Sequence, residues 1–187
     1  MNTTARSYWQ KLRERANVST DIDKTVAATD MSKEKLDWGS YSGGNQVDAT
    51  LYNIRRERRS ELMAEGLRLM DLKRWRAMDQ LISTPYHFEG FKLWGPMKAW
   101  YTASQLVYGA TNEKAVVSDP ALSSYLRPLE IRSNALSYAG AKFVMAHYLS
   151  PIAMEHFQLT STDGSVDHSI IYQNPGWPLV AGQSPTN

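Results

Sequence analysis

The chain contains no cysteine, and no proline before residue 85. The first absence excludes a disulfide framework, a thiolate metal site, a cysteine nucleophile and a lipid-modified cysteine within the chain. A chain of 187 residues needs no such staple, because at this length folding buries roughly 68–70% of the surface of the extended chain. No uncharged run is apolar enough to make a membrane span of about 20 residues. The longest, residues 168–187, carries three prolines and many polar groups. The opening MNTTARSYWQ lacks the apolar stretch of a secretory signal. A dominant charge is missing too. The 21 basic and 19 acidic side chains leave a net charge of +2, too balanced to demand a nucleic acid. Hydrophobic residues at 42% exclude wholesale disorder.

All eight prolines fall between Pro85 and Pro185. Proline removes a backbone donor and interrupts helix interiors, so the sequence predicts a helical first half, about 1–84, and an irregular second half, about 85–187. A helix is expected over Ala5–Ala16, with Tyr8, Leu12 and Trp9 toward one face. A Thr-, Asp-, Ser- and Gly-rich connection follows over 17–47, with a short helix at Ser32–Leu36 and a loop tip at Gly43-Gly44-Asn45. Asp48 is a suitable N-cap for a helix to about Glu65, ended by Gly66. A further helix is expected over Leu67–Leu81. Asp119-Pro120 should open another, and Ser137–Tyr148 reads as helix or strand. The fold class is therefore mostly α, a helical-hairpin packing followed by a long loop-rich wrap. No 34-residue internal repeat is present.

Residues 54–76 hold eight basic and four acidic side chains. Glu57, Glu61 and Glu65 share a helical face, and Arg58 with Glu61, Glu65 with Arg68 and Asp71 with Arg74 are spaced to pair. Three uses compete. Glu57 and Glu61 could serve as the carboxylate pair of a glycoside hydrolase, but interleaved arginines would hold both ionised. Arg55, Arg56, Arg58 and Arg59 could face a nucleic acid, but the acids oppose it. A structural lattice across packed helices is the favoured use, since the arginine fork binds carboxylates and carbonyls bidentately.

At these residues the chain resembles the SusD/RagB family of outer-membrane nutrient-binding lipoproteins. The family segment ER-x-x-EL-x-x-EG-x-R-x-x-DL-x-RW stands here as Glu57-Arg58, Glu61-Leu62, Glu65-Gly66, Arg68, Asp71-Leu72 and Arg74-Trp75. Upstream, Arg13, Arg15 and Ala16 look like its R-x-RA segment. Downstream, YLSPIAMEHF (148–157) and YQNPGW (172–177) look like its closing blocks. The resemblance implies a single SusD-like C-terminal domain over 1–187, the C-terminal portion of a longer protein whose N-terminal repeats, export signal and lipid anchor are absent from this chain. It implies a non-enzymatic surface protein of the outer membrane. Such a protein captures glycan and passes oligosaccharide to a SusC-like TonB-dependent receptor, with no cofactor, metal or nucleic acid. Apolar surface left by the absent region should be covered by a partner or by self-association.

Six tryptophans and ten tyrosines suit sugar binding, because a ring covers the C–H face of a sugar while polar edges take its hydroxyls. Seven of the twenty aromatics lie in 86–108. Tyr86, Phe88, Trp94, Trp100 and Tyr101 are the candidate ligand-binding residues, on an expected loop. Trp38 and Tyr41 form a weaker candidate pair, and Trp177 reads as an anchor held by the Asn174-Pro175-Gly176 turn. His87, His147, His156 and His168 have no metal-ligand spacing. Asp163, Gly164 and Asp167 fail the EF-hand pattern and read as a turn.

Overall fold

The computed structural model describes residues 1–180 and 182–186. Among them are six α-helices and a single two-stranded sheet, joined by short 3-10 turns and long irregular segments. This is the mostly α, loop-rich fold that the proline distribution implies. The chain divides into two compact units, Met1–Gln80 and a second from Leu81 onward. No helix among the described residues is long and apolar enough to cross a membrane.

In the first unit, acidic and amide side chains start the helices. α1 (Thr3–Arg15) is capped by Asn2, whose Oδ1 accepts from Ala5 N at 2.8 Å. α2 (Ile22–Ala27) is capped by Asp21, which accepts from Lys24 N at 2.9 Å. Two 3-10 turns, Met31–Lys33 and Trp38–Ser40, are opened by Asp30 and Asp37 in the same way. β1 (Tyr41–Ser42) and β2 (Asn45–Gln46) then make an antiparallel hairpin, Tyr41 opposite Gln46. Gly43 and Gly44 have φ of 57° and 81°, the paired left-handed geometry of a type I′ turn, which glycine adopts without steric cost. α3 (Ala49–Glu61) starts at Asp48, whose Oδ1 accepts from Thr50 N and Leu51 N. The unit's core gathers Trp9, Ile22, Tyr52, Leu72, Ala77 and Met78.

Several sequence-based expectations are corrected here. The 17–47 connection contains α2, which the periodicity did not reveal, and 3-10 turns replace the helix expected at 32–36. α3 ends at Glu61 rather than Glu65. Ala64 adopts φ 66° and Gly66 φ 74°, so the chain leaves the helix four residues early. The helix expected over 67–81 is broken into α4 (Arg68–Arg74) and α5 (Gln80–Ser83). Between them Arg76 turns left-handed at φ 49° while its carbonyl accepts from Gly43 N at 2.9 Å. Tertiary pairing with the hairpin outweighs local helix propensity at that point.

The second unit is built mostly without regular elements. α6 (Met154–Thr160) buries Phe157, and the core adds Leu81, Leu93, Leu106, Ala115, Phe143 and Ala146. Asp119 makes the expected cap, accepting from Ala121 N at 2.8 Å, but only a turn follows. Residues 137–148 form neither a helix nor a strand run. Gly140 has φ 84°, and a Cβ on it would lie 2.8 Å from Pro85 Cβ. The chain turns there, makes one bridge between Ala141 and Tyr86, and closes in a 3-10 turn at Met145–Tyr148.

Candidate functional site

The charged segment of α3 and α4 resolves into a lattice. Arg13 and Arg15 of α1 reach across to Glu57 and Glu61 of α3, one arginine per acid. Asp71, with its side chain 8% exposed, takes Arg58 Nε at 2.8 Å and Arg74 at 2.7 Å. Asp37 takes Arg59 at 2.7 Å, Arg68 at 3.1 Å and Gly39 N at 2.9 Å. Beside it the buried Tyr52 hydroxyl lies 2.7 Å from Glu34 Oε2 and 3.1 Å from Asp37 Oδ2. Burial, with these two carboxylates, pushes the phenol well above its ordinary range. Of the three i,i+3 pairs expected, Asp71–Arg74 forms. Arg58 turns to Asp71 instead of Glu61. Arg68 turns to Asp37 instead of Glu65, because Glu65 lies beyond the end of α3.

This lattice bears on both chemical alternatives. Glu57 and Glu61 line an open groove of about 390 Å³ between α1 and α3, whose other walls are Ala5, Tyr8, Trp9, Leu12, Ile54, Arg58 and Leu62. Each acid has a guanidinium of α1 as its partner, Arg13 for Glu57 and Arg15 for Glu61. The four arginines of the basic run are all engaged. Arg55 is buried against carbonyls, Arg56 binds Asn53, Arg58 binds Asp71 and Arg59 binds Asp37.

Asp71 supplies a pH prediction. Burial pushes its carboxyl upward, but hydrogen bonding to Arg58, and then the charges of Arg58 and Arg74, reverse this and hold it below the usual range. A depressed folded pKa stabilises above the unfolded value, about 3.9, and that contribution fades as pH falls through the folded one. Asp71→Asn should cost about 2 kcal/mol at neutral pH, the size of a charge-assisted hydrogen bond. In urea melts the gap to wild type should narrow as pH falls below about 5. A gap that stays constant down to pH 3 would refute this.

The aromatic stretch lies in the second unit and is laced to a distant strip of chain. Gly90 N donates to Leu126 O at 2.7 Å, Leu126 N to Phe91 O at 3.0 Å and Trp94 N to Ser124 O at 3.0 Å. Leu93 is buried beneath it. A carboxylate network stiffens the same region. Arg127 bridges Glu89 at 3.0 Å and Glu130 at 3.2 Å, and Glu130, 3% exposed, also meets His87 Nδ1 at 2.5 Å. Ser123 and Arg127 hold Glu89 below the usual carboxyl range.

The five candidate rings divide in two. Tyr86 and Trp94 are half-buried. Tyr86 pairs with Ala141 and sets its ring edge-on to Phe88 at 5.0 Å. Trp94 donates from Nε1 to Ser118 O at 3.1 Å and stands edge-on to Tyr108 at 5.3 Å. These two rings pin the loop. Phe88, Trp100 and Tyr101 are exposed, Trp100 at 74%. Trp100 ends a 3-10 turn, Pro96–Trp100, and Tyr101 follows it. Phe91, one of the seven aromatics of 86–108 but not among the five candidates, is exposed as well, and so is Tyr125, which sequence reasoning did not single out. Tyr125 joins this region only through the pairing of 90–94 with 124–126, a contact of long sequence separation that carries no local signal. Trp38 is the first residue of a 3-10 turn in the first unit and Tyr41 enters the hairpin. Among the described residues no group of three or more His, Asp or Glu is placed to hold a metal ion. Asp163 accepts from Ser165 N and meets His168, as a turn residue.

The first unit is braced by arginine–carboxylate pairs, and the second carries an aromatic loop with open rings. The sequence model of the SusD family matches residues 1–177, and the chain belongs to that family. No curated protein matches the chain, and no solved structure does. Members of the SusD family are non-catalytic, carbohydrate- and nutrient-binding proteins associated with the outer membrane.

Proposed function

We propose that this protein captures glycan at the cell surface and hands oligosaccharide to a SusC-like TonB-dependent receptor, with no bond made or broken. Family membership supports the class of function. The observation that carries the site is the exposure of Trp100, Tyr101, Phe91 and Phe88 on a loop held rigid from below by Leu93, Trp94 and Arg127. An exposed indole costs hydration unless something covers it, and a sugar face offers C–H groups to the ring and hydroxyls to neighbouring polar atoms. Because the loop is laced to 124–126 before any ligand arrives, little ordering entropy opposes binding.

Electrophoresis through gels containing a panel of polysaccharides tests this. The protein should be retarded by at least one glycan while releasing no reducing ends. Trp100→Ala should weaken that binding roughly tenfold, the effect of losing one well-stacked ring. Retardation unchanged by Trp100→Ala and Tyr101→Ala would move the site elsewhere. Product release abolished by Glu57→Gln would overturn the non-catalytic reading.

A further inference from the structure

We infer that the ligand of this loop is an acidic glycan, whose carboxylate or sulfate is taken by Lys92 and Lys98. The inference rests on the reading of the loop as the glycan site. In the chain, the two lysines flank Gly95, three residues to either side. The stem of Lys92 lies along it, with Cγ and Cε 3.7 and 3.8 Å from where a Cβ would stand, and the backbone N–H of Lys98 donates to the Gly95 carbonyl at 3.1 Å. Each ammonium is set over a ring rather than a carboxylate. Lys92 Nζ is 6.0 Å from the centre of Tyr125, and Lys98 Nζ is 5.9 Å from the centre of Trp94. Both side chains are exposed.

The contrast with the rest of the molecule gives this weight. Arg6, Arg13, Arg15, Arg58, Arg59 and Arg68 each meet an acid. The acid nearest in sequence to these lysines, Glu89, is turned to Ser123 and Arg127 and so does not neutralise them. A ring face attracts a cation but supplies no counter-ion, so the N–H donors of both ammonium groups stay available to an anion. Lysine offers them as mobile point charges on flexible stems, which suits a charged substituent that recurs along a chain. Trp100, at the end of the same 3-10 turn, places an open ring on the segment that carries Lys98. A sugar ring with an acidic substituent needs that combination.

The test compares oligogalacturonate, a sulfated chondroitin oligosaccharide, a neutral malto-oligosaccharide of equal length and a single-stranded oligonucleotide of equal charge, by calorimetry at 50 and 500 mM NaCl. At least one acidic sugar should bind more tightly than the neutral one. Chondroitin carries uronate carboxylates as well, so its unsulfated oligosaccharide is run beside it: a preference lost without the sulfate assigns the group as sulfate, and one that is kept, or that favours oligogalacturonate, assigns it as carboxylate. The double variant K92Q/K98Q should lose roughly ten-fold of that preference, about three-fold per lysine as expected of exposed ion pairs, and the salt dependence should shrink with it. Trp100→Ala should weaken acidic and neutral sugars alike. A preference that survives K92Q/K98Q overturns the charge assignment and leaves the aromatic site standing. Binding of any sugar that is indifferent to Trp100→Ala overturns the site itself. Equal affinity for the oligonucleotide, unaffected by Trp100→Ala, makes the surface a generic polyanion contact and overturns the inference. Thermal melts should show both variants as stable as wild type.

Discussion

Arg55→Ala should destabilise the first unit by about 3 kcal/mol, because hydrogen bonds from a charged donor and the packing of a buried side chain are lost together. Arg55 is 6% exposed and meets no carboxylate. Its guanidinium donates to Gly39 O at 3.1 Å, Tyr41 O at 2.8 Å and Ser42 Oγ at 2.7 Å. Its plane lies over Trp75, with Cζ 4.5 Å from the ring centre. One side chain on α3 thus ties the Trp38–Ser40 turn and β1 to the residue that ends α4. Burial, and then the nearby charges of Arg68 and Arg74, lower its pKa, yet guanidinium remains protonated at any ordinary pH. Truncation leaves two carbonyls without a donor and a void under the indole, and both costs fall on the same variant. Arg55→Lys should recover little, since an ammonium cannot reproduce the fork or the stacking. Arg56→Ala, one residue further, bonded to Asn53 and set 5.6 Å from the centre of the Tyr52 ring at a more exposed position, should cost about 1 kcal/mol. Urea unfolding of the full chain, with hydrogen exchange of the α3 amides, separates the cases. Equal losses for Arg55→Ala and Arg56→Ala would show that the cluster is a solvated surface.

That pair also marks how far the sequence could be read. In the run Arg55-Arg56-Glu57-Arg58-Arg59 the alternation of signs was visible, and it supported a structural lattice. The partners were not. Arg13 to Glu57 and Arg59 to Asp37 span 44 and 22 residues, and no local rule assigns them. Asp48 was legible as a cap because the helix it opens is long. Asp21, Asp30 and Asp37 cap just as well, but the elements they open are too short to show a period. The break at Arg76 carries neither glycine nor proline, and follows from the pairing of its carbonyl with the hairpin tip. In the second unit the aromatic density of 86–108 was plain. The division between rings that anchor and rings that face solvent depends on where 118 and 124–126 fold back, so only the coordinates make it.

The structure also accounts for why four separated blocks carry the family resemblance. They form two clasps. The first block supplies Arg13 and Arg15, and the second supplies Glu57 and Glu61, the acids that they bind. The third and fourth blocks do the same within the second unit. Gln173 closes on Ile152 twice, accepting from its N–H at 2.8 Å and donating to its carbonyl at 3.0 Å, so its side-chain amide substitutes for a strand partner. Asn174 Nδ2 donates to Ser150 O at 2.7 Å. Each block is incomplete without its mate, since each leaves polar groups that the other satisfies. The contacts that these motif residues make are with one another, which is what folding constraints require.

Trp177 is where the second clasp should fail most severely. Its Nε1–H lies 2.9 Å from the carbonyl of Ala146 and 3.1 Å from that of Leu149, at the end of the 3-10 turn that Phe143, His147 and Tyr148 surround. Its ring tilts against His147 at 5.7 Å, and its backbone N–H closes the Asn174 turn at 3.1 Å. The turn needs Gly176, which adopts φ 80°. Trp177→Ala removes the ring and the donor together and should cost about 3 kcal/mol, the lower end for a tryptophan truncation because the side chain is only half-buried. Trp177→Phe keeps an aromatic surface and loses only the hydrogen bond, so about 1 kcal/mol is expected. Gln173→Ala should fall between them, having orphaned both the N–H and the carbonyl of Ile152. Hydrogen exchange would then show residues 145–152 and 172–177 losing protection together in Trp177→Ala, while α3 keeps its own. If 172–177 frays alone and 145–152 stays protected, the tryptophan is a passenger on a turn that stands without it, and the clasp is not a cooperative element.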